Sequence, residues 1–532
     1  MNDIKLLDCT LRDGGYVNDW NFGYDSIISI YKRLSNAGID IIELGFLDER
    51  RDFDINRTIM PNTQVLKEIY GKYPSNSLLV AMIDYGTCSL ENIEDCKDSF
   101  IDGIRVIFKK SKIQQALDFC VKLKEKGYKV FVQPVSVTSY TYEEMIELVS
   151  RVNRIMPYAM SIVDTYGLLD KDKLLKYLMI IHENLDKNIG IGYHSHNNFQ
   201  LAYANCIEYL KYISNRMCIV DASVYGMGKG AGNANVELVA NYLNIHYDKC
   251  YNIDHILEII DTDILRIFKN QHWGYSLKYY LAAMHDCHPN YVTNLLNKKT
   301  LSIEAVNMLL TQIPSESKLL YNEDLIEQSY SAYQQTISND PSINSYFINC
   351  FSNRELLVLG PGESVIREKD RIDQFIKEKK PIIISANCLI PDYQIDYVFI
   401  SNSKRYSQLI RILENTESQI IVTNNITVLD EKRTFNISYG DHIFMRKEKI
   451  IDNALIVFLN FLSKIGVTNV SLAGFDGFSN ITKNYFNEFY EFYSTVNNNE
   501  TANQDTIYAL NILKEKISIN FLTPSIYNGD EL

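Results

Sequence analysis

The sequence predicts an α/β protein with three parts: an N-terminal (β/α)8 TIM barrel, a helical extension, and a second small α/β domain of Rossmann-like type. Three observations carry this reading. The chain has 532 residues, too many for one ordinary core. Across residues 1–250, eight short runs rich in β-branched residues alternate with amphipathic helical runs. A second alternation of the same kind begins near Glu355.

The eight strand-like runs are IKLLD (4–8), DIIELGF (40–46), LLVAMID (78–84), GIRVIF (103–108), KVFVQPV (129–135), AMSIVDT (159–165), IGIGYHSH (189–196) and CIVDASVYG (218–226). Helical patterns between them include SIISIYKRLSNAG (26–38), IQQALDFCVKLKEKG (113–127), TYEEMIELVSRVNRI (141–155) and KLLKYLMIIHENL (173–185). Several close on glycine or asparagine, as helix C-termini often do. A doubly wound sheet competes with the barrel, but such sheets more often have five or six strands. Residues 251–350 show helical periodicity with no strand between, in HILEIIDTDILRIF, YSLKYYLAAMHD, YVTNLLNKK and IEAVNMLLTQI. Residues 351–532 return to strands, at ELLVLG (355–360), PIIISAN (381–387), DYVFIS (396–401), QIIVTNN (419–425) and NVSLAGF (469–475), and form the second domain. The polar stretch after Asn487 is expected to include a loop.

Composition narrows the function classes. With 46% apolar and 22% charged residues the chain reads as a soluble globular protein, and no run is long enough to cross a bilayer. Its first residues, MNDIKLLDCTLRDGG, lack the basic start and apolar run of a signal peptide, so a cytoplasmic protein without membrane attachment is expected. The ten cysteines form no CxxC pair and suit small core residues in a reducing compartment. A net charge of −13 argues against nucleic acid as a partner. The 37 tyrosines match the coding bias of an AT-rich genome, and KKSK (109–112) reads as a solvated turn.

In a (β/α)8 barrel, chemistry sits at the C-terminal ends of the strands. Those ends present Asp8 to Asp13, Glu43 to Gly45, Asp84, Arg105, Gln133, Asp164, His194 to His196, and the loop after Tyr225. His194 and His196 stand two apart on a strand, so both imidazoles face one side and can reach one ion. Asp13, leaving the first strand in DCTLRDGG, can supply a third ligand. Arg12 beside it can stabilise a developing enolate oxygen.

Together, TLRDGG (10–15), ELGF (43–46), VDTYG (163–167), HSHN (194–197) and GMGKGAGNANVE (226–237) resemble the DRE-type metallolyase superfamily. That superfamily includes 4-hydroxy-2-oxovalerate aldolases, hydroxymethylglutaryl-CoA lyases, and isopropylmalate and homocitrate synthases. The resemblance covers about residues 3–250 and is closest to the hydroxy-oxovalerate aldolase branch. It implies Asp13, His194 and His196 as ligands of a divalent ion, manganese or magnesium, with cobalt or zinc as alternatives. It implies Arg12 as the enolate-stabilising and substrate-binding residue, and Glu43 as its support or a participant in proton transfer. Asn233 is implied as a site asparagine, with Gly230 and Gly232 allowing close backbone approach to substrate. One position departs: aldolases of this branch carry a histidine base three residues after the motif aspartate, where this chain has Tyr16. Tyr16, Asp19 or a water molecule is left to handle the proton. The cysteine of the CoA-lyase loop is absent from residues 226–237, which disfavours thioester cleavage.

In the C-terminal part, LVLGPGES (357–364) pairs a strand with a glycine-rich turn and a helix start, a corner able to cradle phosphate. The order GPGES, IISAN, DYVFISN, LAGFDGF resembles nucleotide-sugar-handling domains of bacterial surface-glycan enzymes. It implies Gly360, Gly362, Ser364 and Asn387 as ligand contacts.

The leading expectation is a metal-dependent aldolase or lyase that joins or parts a carbon–carbon bond next to a 2-oxo acid, with an aldehyde partner and a homo-oligomeric state. Two alternatives stand beside it: a Claisen-type synthase using an acyl-CoA, and a bifunctional protein whose second domain binds or transfers a nucleotide sugar.

Overall fold

The computed structural model describes residues 3–529 except 214, 299, 319, 336–340, 429–432, 448, 480–482 and 492–498; part of the polar loop expected after Asn487 therefore lies outside the described residues. The chain divides into two compact units, Met1–Pro289 and Asn290–Leu532. Of the helical residues after 250, those to Pro289 belong to the first unit and those from Asn290 to the second.

The first unit is an eight-stranded parallel barrel. Its strands are β1 (Ile4–Asp8), β2 (Ile41–Leu47), β4 (Leu78–Asp84), β5 (Gly103–Phe108), β6 (Lys129–Pro134), β7 (Ala159–Asp164), β8 (Gly190–Ser195) and β9 (Cys218–Ala222). The order β1-β9-β8-β7-β6-β5-β4-β2 closes through the β1–β2 pairing, and the two-residue β3 (Ile59–Met60) is appended to β2. All eight expected strands are present, but the eighth ends at Ala222 and not at Gly226, because Ser223 turns its N–H to the Ala234 carbonyl (3.0 Å). His196 likewise lies one residue past β8, where it bridges to Asn233.

Side-chain alternation fills the barrel in layers. At the N-terminal end, Leu7, Ile41, Val80, Phe131, Ala159 and Ile219 make an apolar plug. Above it the inward positions turn polar: Glu43, Arg105, Gln133, Ser161 and Asp221 are all buried. The register of β2 shifts between Glu43 and Phe46 at Gly45. Gly45 has φ +139°, and a side chain there would collide with the Thr58 carbonyl, so the bulge needs glycine. The outer helices pack on this barrel, and the run Ile253–Asn270, loosened to a wider turn at Ile260–Ile264, buries Ile256, Ile259 and Ile264 against it.

The second unit holds seven parallel strands in the order β14-β13-β12-β11-β10-β17-β18. These are β10 (Leu356–Leu359), β11 (Ile382–Ala386), β12 (Tyr397–Ile400), β13 (Gln419–Thr423), β14 (Thr434–Ile437), β17 (Asn469–Ala473) and β18 (Ser518–Phe521). A small hairpin, β15 (Met445–Arg446) with β16 (Lys449–Ile450), stands apart. The two edge strands β14 and β18 were not foreseen: each has four residues with few fully buried positions, so neither shows a clear apolar period. Apolar clusters cover both faces of the sheet, one around the helix Ala454–Lys464 and one around Ser403–Leu413. This is a doubly wound sheet whose winding reverses between β10 and β17.

Candidate active site

At the C-terminal mouth of the barrel, Asp13, His194 and His196 converge, with donor atoms within 4.8 Å of one another. Each histidine points one nitrogen at the cluster and anchors the other. His194 Nε2 lies 3.2 Å from Asp13 Oδ2, while its Nδ1 meets Asp221 Oδ2 at 3.1 Å. His196 Nδ1 lies 3.0 Å from the Lys229 carbonyl, and its Nε2 is 3.9 Å from Asp13 Oδ2. Ligating histidines are held this way in metal sites, with the second nitrogen fixing tautomer and ring orientation.

The charges suit a cation. Burial alone would raise the Asp13 pKa, but Arg12 and both histidines hold it well below the usual carboxylate range. Burial pushes His196 down to about 3, so its ring is neutral and able to ligate. For His194, burial lowers the pKa, but the bonds to Asp13 and Asp221 outweigh it and raise it overall. Asn233 is 1% exposed, and its Oδ1 has no hydrogen-bond partner among the described residues. A carboxylate, two oriented imidazoles and a nearby amide oxygen form a set that fits a divalent ion.

Below the cluster, buried charges close into a ring. Arg12 pairs with Asp13 and, through Nε, with Glu43 Oε2 at 2.7 Å. Arg105 reaches Glu43 at 3.1 Å and pairs with Asp221, which holds His194, which returns to Asp13. Arg105 was noted as a strand-end residue; Asp221 was missed, because the strand was drawn four residues too long and its end placed past it.

Tyr16 lies over Trp20 (ring centres 4.8 Å apart) beside this ring. Its surface is 41% open, yet crowding around the phenol and then the Asp13 charge push its pKa up, so it stays protonated. Asp19 sits at the surface, paired with Arg57 and with Arg51 at 3.1 Å, away from the cluster. Asp8 turns back on Thr10 (2.8 and 2.9 Å) and burial raises its pKa to about 7, while Asp164 accepts from the amides of Leu168 and Leu169. Those two carboxylates hold their own turns.

The glycine-rich loop shapes the rim. At Gly228 a Cβ would stand 2.9 Å from Asp13 Oδ1 and press on the Asn233 amide, so only glycine lets the loop pass. Gly230 packs on Asn198, and Gly232, at φ +87°, closes against the Gly226 carbonyl. Lys229 was not singled out from sequence. Its N–H donates to Asp13 Oδ1 at 2.8 Å, and its ammonium lies 5.5 Å from the Tyr16 ring centre and 5.7 Å from that of Tyr166.

In the second unit, a cavity of about 590 Å³ opens at the C-terminal ends of β10, β11, β12 and β17. Gly362 and Asn387 lie on its wall. Gly360 is packed beneath, against the Gly474 carbonyl and the Phe475 ring, and Ser364 is fully buried. The expected phosphate cradle is not free. The Ser364 N–H donates to Asp476 Oδ2 (2.9 Å), the Gly362 N–H to Gly474 (2.8 Å), and the Gly360 N–H to Ala473 (2.7 Å). Asp476 has taken the place an anion would need.

The family match falls on the barrel. A family model described as HMGL-like matches residues 3–262. Among curated relatives, an oxaloacetate decarboxylase of Mycobacterium tuberculosis is 24% identical over 49% of this chain and 76% of its own length. A 4-hydroxy-2-oxovalerate aldolase of Geobacillus genomosp. 3 is 22% identical over 45% of this chain and 70% of its own. A solved HMG-CoA lyase from Brucella melitensis aligns at 17% identity with a TM-score of 0.42, covering 50% of this chain and 99% of that one.

Proposed function

Residues 3–262 are an HMGL-like domain, and from that premise we propose that the chain is a divalent-metal-dependent lyase or aldolase acting next to a 2-oxo acid through a pyruvate-type enolate. The observation that carries this is the meeting of Asp13, His194 and His196 beside the Arg12 guanidinium at the barrel's C-terminal mouth. Relatives named as an aldolase and an oxaloacetate decarboxylase support it, since both reactions part a carbon–carbon bond next to a 2-oxo acid.

A divalent ion held by Asp13, His194 and His196 would supply Lewis-acid stabilisation of the developing enolate charge. Arg12, buried and fixed by Glu43, offers its guanidinium to the same charge, so little reorganisation is needed. Glu43 is tied to both Arg12 and Arg105, which makes it a positioning residue. In the bond-forming direction Tyr16, held protonated, donates its proton to the alkoxide that the aldehyde oxygen becomes. Asn233 turns its amide toward the same rim as a substrate contact.

The test is exchange of the pyruvate methyl protons in D2O with manganese or magnesium, followed by NMR. Wild type should exchange only with metal, and Asp13→Ala should lose at least about a hundredfold of that rate. Folded wild type that exchanges with neither ion sinks the pyruvate reading. Thiol release from acetyl-CoA would then test the acyl-CoA-dependent synthase.

A further inference from the structure

Lys229 is a cation placed over the site without a counter-ion. Its backbone is bound on both sides to the candidate ligands: the N–H to Asp13 Oδ1 (2.8 Å), the carbonyl to His196 Nδ1 (3.0 Å). With the backbone so fixed, the side chain crosses the barrel mouth between two aromatic rings, its ammonium 5.5 Å from the Tyr16 centre and 5.7 Å from the Tyr166 centre. Among the described residues that ammonium makes no hydrogen bond and no ion pair. Its charged surroundings do not supply the missing anion. Asp13 is engaged by Arg12 and His194, and Arg12 and Lys109 repel Lys229 as Asp13 and Asp84 attract it. His288 feels both Lys229 and Lys278; burial first and then those two charges lower its pKa to about 4, so it supplies no counter-charge.

Aromatic faces ease the partial desolvation of an ammonium but do not neutralise it. An enclosed cation is retained at little cost when its counter-charge arrives with a ligand. One ammonium matches one negative charge. A phosphate is usually met by several donors or a guanidinium fork; Arg105 is committed to Glu43 and Asp221, and Arg12 is held by Glu43 at the enolate end of the site.

We propose that Lys229 determines specificity by binding a distal carboxylate, so that the substrate of this site is a 2-oxo acid bearing a second carboxylate at its far end. The inference rests on the 2-oxo acid reading of the barrel and goes beyond it by naming the substrate class.

The experiment uses the full chain with manganese and measures equilibrium binding by tryptophan fluorescence. Both tryptophans report near the site, since Trp20 donates to the Arg12 carbonyl and Trp273 to that of Tyr225. The probes are matched pairs: 2-oxoglutarate against 2-oxopentanoate, and 2-oxoadipate against 2-oxohexanoate. In wild type one diacid should bind about tenfold or more tightly than its monoacid. The ratio should fall toward one in Lys229→Met and be largely kept in Lys229→Arg. A ratio taken within each variant cancels any general loosening of the loop. No preference in wild type, or a preference that survives Lys229→Met, overturns the proposal. Pyruvate exchange without a diacid preference leaves the enolate reading standing and removes this inference. Diacid preference without exchange does the reverse.

Discussion

At the scale of single residues, the site depends on groups that never touch the proposed ion. Asp221 holds His194 Nδ1 and pairs with Arg105, so Asp221→Asn should weaken manganese binding by about 10- to 100-fold while the fold persists. Metal titration by calorimetry reads this directly, and unchanged affinity would remove Asp221 from the site. Gly228→Ala should act through space: its methyl would meet Asp13 and Asn233, and the same titration should show a loss of about tenfold or more. The cluster of Asp13, His194 and His196 was legible in the sequence because the two histidines leave β8 two residues apart and Asp13 follows the end of β1 in the TLRDGG run. Asp221 was not, although it is the one charge in CIVDA and lies two residues from inward-facing Ile219. Lys229 was illegible for another reason: a loop side chain has no period, and its direction is set by the hydrogen bonds of its own backbone.

At the scale of elements, strand cores were readable to within a residue or two, and their ends less so. A strand ends where its next N–H finds a partner outside the sheet, as Ser223 does at Ala234, and that choice is tertiary. The helical segment after the second unit's first strand shows the same limit: its amphipathic residues 363–379 are broken at Glu368 into Ser364–Arg367 and Lys369–Lys379. The helical run Ile253–Asn270 is part of the barrel's core, with Ile256, Ile259 and Ile264 fully buried and Tyr251 bonded to Asp40. A chain ending at residue 250 should therefore lose about 5 kcal/mol or more relative to one ending at 289. Urea unfolding of the two truncations compares them, and equal midpoints would show that the run contributes nothing.

At the scale of the whole molecule, two units each carry a core of their own, and their stabilities answer to different chemistry. In the second, His442 is buried against Phe461, neither ring nitrogen has a partner among the described residues, and burial lowers its pKa from 6.5 to about 4. As pH falls below about 6.5 the unfolded chain takes this proton first, so stability drops until about pH 4, where the folded ring also protonates. His442→Phe should thus raise the urea midpoint of this unit more at pH 4.5 than at pH 7.5; an equal effect at both would exclude the titration. The barrel as a whole was legible because eight alternations over 250 residues admit few closures. The second sheet was legible only in its middle, since its edges β14 and β18 carry no sustained apolar pattern. The barrel's buried ring, Asp13–Arg12–Glu43–Arg105–Asp221–His194, has a consequence for how this protein can change over generations. Removing any one member leaves two neighbours buried and unmatched, at about 3–5 kcal/mol. Selection can therefore cross this ground only by paired steps, and drift at positions 43, 105 and 221 is confined to sets that keep the sum of their charges.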